Sequence, residues 1–163
     1  MSDLIGFYRD GLPNSSGNTL DEILNWDDKQ WEGCHDFIQW IFPLMEPSKF
    51  NPNAPLLDDN TIRVFKNSVP IMLNISRVLH RAKKFFQIRP DQRPDWFEDK
   101  NHNLLRITRL ITFLLHIGQH NDAEYLYMWL DRIDYLYPDN IPDVTWFYWR
   151  KAFWDTESLD EDD

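Results

Sequence analysis

The sequence predicts an all-α fold: a single-domain, compact helical bundle of about six to eight helices, with one extended loop rich in Pro and Asn. Three observations predict it. Apolar residues recur at helical spacing, most clearly through Ile71, Ile75, Val78, Leu79, Ala82, Phe85 and Phe86. No run alternates with strand period, and only five glycines occur. Capping residues and prolines punctuate the chain at intervals that suit short helices.

The elements follow in order. Thr19-Leu20-Asp21-Glu22 fits a capping box, with Thr19 as N-cap and Glu22 at the third helical position. A short helix is expected from there to about Trp26. A second is expected from about Asp28 to Phe42, where Pro43 removes an N–H donor and restricts its predecessor. Residues 43–57 carry four prolines and two asparagines. They read as a semi-rigid extended loop that lays Phe50, Leu56 and Leu57 onto the body. Asp58 or Asp59 caps a short helix through Phe65. Ser68 caps the next, with Pro70 in its first turn, and Arg77, Arg81 and Lys84 share a face away from the apolar stripe. Pro90 and Pro94 break the pattern over residues 88–100. Asn101 caps a helix that ends at Gly118. Asn121 and Glu124 mark the next helix start, running to about Tyr137 before Pro138. Asp143 caps a last aromatic helix to about Trp154. Short connections favour antiparallel neighbours.

The 163 residues suit one domain, placed at residues 1–154, followed by an acidic, disordered tail at 155–163 with six acids. Eight Trp and eleven Phe point to a core anchored by rings, or to an aromatic-lined cleft. A lone cysteine, Cys34, excludes an internal disulfide, and no Cys/His spacing fits zinc. No basic and apolar leader opens the chain. The most apolar stretch, Leu104 to Ile117, is too short to span a bilayer and holds Arg106 and Arg109. A cytoplasmic protein is the simplest expectation.

Net charge is −10, unevenly spread: residues 61–120 carry +7 and the remainder −17. The basic middle either pairs with the acidic ends inside the fold or presents a cationic surface to an acidic partner. Overall acidity argues against general nucleic-acid binding, which relies on neutralising phosphates.

Two segments hold the polar residues of interest. In His35-Asp36-Phe37-Ile38-Gln39-Trp40-Ile41-Phe42-Pro43-Leu44, a helix would place His35 and Gln39 one turn apart on one face. Phe37, Ile38, Trp40, Ile41 and Phe42 would bury that helix deeply. The buried His and Gln would then form either a satisfied polar network or, with Trp40, part of a ligand pocket. In Asn101–Arg109, His102, Arg106 and Arg109 line one helix face opposite Leu104, Ile107, Ile111 and Leu114. With Asn101 and Asn103, those arginines could grip a carboxylate or phosphate near the helix N-terminus. Alternatively they are a solvated or salt-bridged face, pairing for instance with the acidic tail or with Asp27, Asp28 and Glu32. His116 and His120 stand four apart, but Gly118 separates them and no HExxH or carboxylate-rich pattern accompanies them, so no metal is expected. Cys34 beside His35 would diverge on a helix, and no nucleophile elbow or Gly-rich phosphate loop occurs. No catalytic residue and no cofactor are assigned.

His35–Leu44, then Ser48-Lys49-Phe50-Asn51-Pro52-Asn53-Ala54-Pro55-Leu56-Leu57, then Asn101–Arg109 stand in an order that resembles the conserved domain of the opioid growth factor receptor family. That family shows a similar IQWLFP segment, a Pro/Asn loop ending in APL, and an HNxLRITR helix. The resemblance covers roughly residues 5–135 and extends to Phe7-Tyr8 and the Leu20–Trp26 helix. Animal members are described as receptors for an endogenous enkephalin peptide that restrain cell growth, with nuclear or perinuclear location. This chain lacks their repeat-bearing C-terminal region and looks more like short, single-domain bacterial relatives. The resemblance implies a non-catalytic interaction domain that binds a peptide or protein partner. The alternative is a helical domain, possibly enzymatic, that binds a small molecule or an anion such as a phosphate, nucleotide or carboxylate. Its pocket would be built from His35, Gln39, Trp40, His102, Asn103, Arg106 and Arg109.

Overall fold

A computed structural model describes residues 3–49 and 51–161, with side chains through Asp155. Phe50, expected on the body, and Asp162-Asp163 of the acidic end lie outside the described residues. Among the described residues the chain forms nine helices and no strand. It falls into two compact units, Met1–Phe85 and Phe86–Asp163.

The first unit opens with α1 (Asp3–Arg9), which no cap had announced. Tyr8 is wholly buried, and its hydroxyl donates to the Ile41 carbonyl. Burial raises the Tyr8 pKa far above its ordinary value, so the phenol stays neutral and serves as a donor. Helix α2 (Leu20–Asn25) starts where expected: the Thr19 side chain accepts the Glu22 N–H at 3.2 Å.

The single helix expected over Asp28–Phe42 is instead two. Helix α3 (Asp28–Gly33) begins with a reciprocal capping box between Asp27 and Gln30 and stops at Cys34, whose backbone is extended. Helix α4 (Ile38–Ile41) is one turn. Packing explains the break. Trp31 and Phe37 must both reach the same core, and their rings meet edge to face at 5.1 Å. Six residues apart on one straight helix they would project about 120° away from a common direction.

In the Pro/Asn loop, Leu57 is fully buried and its N–H donates to the Leu44 carbonyl at 2.8 Å, which pins the loop's end. Leu56, expected on the body, is exposed instead, because adjacent side chains of an extended segment point apart. Asp58 rather than Asp59 caps α5 (Asp59–Asn67), accepting from the Thr61 N–H at 2.8 Å and its hydroxyl at 2.7 Å. Helix α6 (Val69–Phe85) buries Ile71, Ile75, Val78, Ala82 and Phe85, as its periodicity predicted, and packs on α1, α2 and α5. The two arginines of its basic face are paired within the unit. Arg77 meets Asp21 at 2.9 Å and Arg81 meets Asp28 at 2.8 Å.

The second unit is built on three helices that pack on one another: α7 (Asn103–His116), α8 (His120–Leu136) and α9 (Asp143–Glu161). The Asn101 side chain accepts the Asn103 N–H at 2.9 Å at the start of α7, although the N-cap position falls one residue later, on His102. Gly118 closes α7 with φ +81°, the left-handed conformation a glycine adopts without steric cost. The connection before α7 is held by rings: Trp96 and Phe97 are buried, and the Trp96 indole donates to the Phe86 carbonyl at 2.7 Å. The backbone of α9 stays helical past Trp154, where the sequence reading ended it.

Removing the α5 cap by Asp58→Ala is expected to cost about 1 kcal/mol at neutral pH in urea titration. Its hydrogen bonds from Thr61 hold the Asp58 carboxyl below the ordinary carboxylate range. A depressed folded pKa means this contribution is present above the unfolded pKa of about 4 and disappears as pH falls through the folded value. The gap between wild type and Asp58→Ala should therefore close in acid. A gap that widens there would contradict the assignment.

Candidate functional site

Two adjoining grooves open on the first unit, with Asn14 lining both. Residues 14–18, Asn-Ser-Ser-Gly-Asn, have turn composition. The buried Asn14 side chain accepts from the N–H groups of Ser16 at 3.0 Å and Asn18 at 2.9 Å. Its backbone N–H donates to Asn18 O at 2.8 Å, and Gly17 supplies the positive φ of +86° that closes the turn. One side chain thus holds the rim of both grooves, and the sequence reading did not single it out. The turn composition was the available signal.

The first groove, about 370 Å³, is bounded by Leu12, Pro13, Asn14, Trp40, Asn53 and Pro55. Trp40 is 5% exposed and is wedged edge-on against Phe7 at 5.3 Å, so its ring offers a rigid border rather than a mobile flap. The second groove, about 260 Å³, is bounded by Asn14, Asn18, Trp26, His35, Asp36 and Phe37. Trp26 is set edge-on to Phe37 at 5.4 Å. Both grooves combine ring or proline surface with polar side chains, setting apolar faces beside hydrogen-bonding groups.

The candidate residues of the first segment are placed differently from the expectation. His35 lies in the connection between α3 and α4 and is exposed, not buried on a helix. The shared helical face of His35 and Gln39 is therefore overturned by the end of α3 at Cys34. They meet by another route: the Gln39 side-chain amide lies against the carbonyls of Asp36 and His35 and, with its oxygen and nitrogen interchanged, donates to them at 2.9 Å and 3.2 Å. Gln39 braces the turn that presents His35. Cys34 is exposed beside it.

The second segment lies in the other unit. His102 is exposed, while Asn103 is 3% and Arg106 5% exposed. The apolar face is buried at Leu104, Ile107, Ile111 and Leu114 as expected, and on the polar face Arg106 is buried as well, with Arg109 half-buried and His102 exposed. Asn103, Arg106 and Arg109 all take part in further interactions within the protein. Burial pushes the Arg109 pKa down to about 10, which leaves the guanidinium charged at neutral pH. Asp28, a candidate partner for these arginines, is held by Arg81 instead. Among the described residues no helix is long and apolar enough to cross a membrane.

The family pattern described as the opioid growth factor receptor (OGFr) conserved region matches residues 3–133. Human opioid growth factor receptor is 33% identical over 148 residues, covering 78% of this chain and 21% of that protein. The mouse receptor is 30% identical over 148 residues, covering 78% of the chain and 23% of that protein. Mouse opioid growth factor receptor-like protein 1 is 30% identical over 129 residues, covering 69% and 28%. The chain thus spans between about a fifth and three tenths of the length of these curated relatives. No solved structure matches.

Arg106 buried in α7 leads to a stability prediction. Arg106→Ala should lower the melting temperature with no ligand added, by the equivalent of about 3 kcal/mol, because it strips the partner from groups already out of water. An unaltered melting temperature would show that Arg106 braces nothing.

Proposed function

The chain belongs to the opioid growth factor receptor conserved-region family, and from that premise we propose that it is a non-catalytic interaction domain that holds an extended peptide segment of a partner in the paired grooves around Asn14. The observation that carries this is the position of the grooves. His35 and Trp40, from the first recognisable segment, and Asn53 and Pro55, from the Pro/Asn loop, come together around one rigid turn. Rigid aromatic and proline borders keep the entropic cost of binding low, and the amides of Asn18 and Asn53 supply polar contacts for a peptide backbone.

Anion binding through His102, Asn103, Arg106 and Arg109 has less support. Two of the four side chains are almost wholly buried, and a ligand would have to displace protein to reach them. The word "receptor" in the relatives' names describes proteins several times longer than the matched region.

The test is a random-peptide display selection against the folded chain, with the selected peptides mapped by amide and indole NMR shifts. Shifts should concentrate at Asn14–Asn18, His35–Trp40 and Asn53. Asn53→Arg, which places a bulky cation at an exposed rim position, should weaken binding at least tenfold without moving the melting temperature. Peptides that shift only other surfaces, or that bind Asn53→Arg equally well, would overturn the assignment.

A further inference from the structure

Helix α8 is apolar on two sides. One side packs inward through Ala123, Leu126, Trp129, Leu130 and Ile133. The opposite side exposes Met128 at 60% and Tyr135 at 76%, seven residues apart and therefore on one line about 10 Å long. Tyr125 and Arg132 flank that line on one edge, again seven apart, and Arg132 lies over the Tyr135 ring at 5.8 Å. Glu124 and Asp131 flank it on the other edge, also seven apart and both exposed. Asp122 and Asp134 add further negative charge to the helix, while its lone arginine is already taken by Asp91 at 3.0 Å.

A helix whose solvent side carries an apolar ridge at heptad spacing, with a charged edge in the same register, has the surface of one strand of a two-helix pairing. The charge selects the occupant. A second copy of α8 laid antiparallel would bring Glu124 and Asp131 against their own kind, and in either direction it would set one helix with four acids and one arginine against another. A partner helix with Lys or Arg at heptad spacing beside an apolar stripe would neutralise them along the whole contact. We propose that the exposed face of α8 docks a cationic amphipathic helix of another protein, with Met128 and Tyr135 as its apolar anchors and Glu124 and Asp131 setting register and charge preference. Met and Tyr suit this use: Met adapts to the shape of the partner, and Tyr offers a large rigid surface. This surface belongs to the second unit and stands independently of the Asn14 grooves.

The experiment uses the full chain and two synthetic peptides of about three heptads. Both carry Leu along one stripe, flanked by Lys in one and Glu in the other, and binding is read by fluorescence anisotropy. The chain should bind the Lys-flanked peptide at least tenfold more tightly than the Glu-flanked one. In the double variant Glu124→Lys with Asp131→Lys the preference should invert. Met128→Ala and Tyr135→Ala should each weaken the Lys-flanked peptide severalfold without lowering the melting temperature. Asn53→Arg, on the other unit, should leave this binding unchanged, which separates failure here from failure of the groove assignment. Equal binding of both peptides, binding of neither, or a preference that survives the charge reversal would overturn the proposal. So would sedimentation showing a dimer that Glu124→Lys dissolves, since the occupant would then be a second copy.

Discussion

The hydrogen bond from a tryptophan indole to a backbone carbonyl is the interaction on which this architecture leans. Helices of four to seven residues, such as α1 to α4, leave carbonyls at their ends with no partner inside the helix. Burying such a carbonyl without a donor costs more than the hydrogen bond itself is worth. Trp31 donates to the Ile23 carbonyl at 2.9 Å, at the end of α2. Trp96 donates to Phe86 O just past α6, and Trp129 donates to Arg89 O at 2.8 Å in the connection that follows. Trp149 donates to Leu104 O at 3.3 Å, tying α9 to the first turns of α7. The tryptophan content is thus more than apolar volume: these four indoles each bury a large ring area and also donate to a backbone carbonyl.

Trp31 shows how far one such residue reaches. Its ring is fully buried, meets Phe37 at 5.1 Å and Phe85 at 5.5 Å, and lies beneath the Arg81 guanidinium at 4.7 Å. Arg81 in turn donates to the Trp26 carbonyl at 2.9 Å and pairs with Asp28. α2, α3, α4 and α6 meet at this point. A guanidinium suits it because its planar face stacks on the indole while its edge reaches the carbonyl and carboxylate, which an ammonium cannot do together. The same cluster fixes Phe37, and Phe37 and Trp26 border the second groove. The rigidity of the candidate site therefore derives from the core beneath it.

What the sequence made legible was the part governed by local chemistry. Thr19, Asp58 and Ser68 stand at helix starts and Gly118 at an end because side-chain acceptors and left-handed glycine act on neighbouring backbone. The apolar stripe of α6 was legible because seventeen residues are enough for the helical period to stand out. The failures lie where tertiary packing decides or where the local pattern is too short. No proline or cap marks the break at Cys34, and it arises because Trp31 and Phe37 must converge on one core. Only Gly33 hinted at it. The exposure of His35 follows from that break. Helix α1, seven residues long, offers too short a pattern, with Asp3 in its first turn as the lone cue. The burial of Arg106 was illegible for a related reason: a charged residue reads as surface unless tertiary structure is known to surround it.

The two segments that mark the family therefore do different physical work. His35–Leu44 contributes borders of an open groove, whereas Asn103 and Arg106 of the other segment are sunk in their helix. Polar residues in a recognisable segment invite a functional reading, yet the two kinds respond oppositely to a change. An exposed rim residue such as Asn53 can be altered with little effect on folding, so a loss of binding there reports on binding alone. A buried cation such as Arg106 cannot be altered without disturbing its surroundings, so any loss of function there is confounded with loss of structure. Exposure, rather than recognisability, decides which residues can reveal what the protein binds. By that criterion the informative positions are the groove rims of the first unit and the outer face of α8, and the arginines that stand out most in the sequence are not among them.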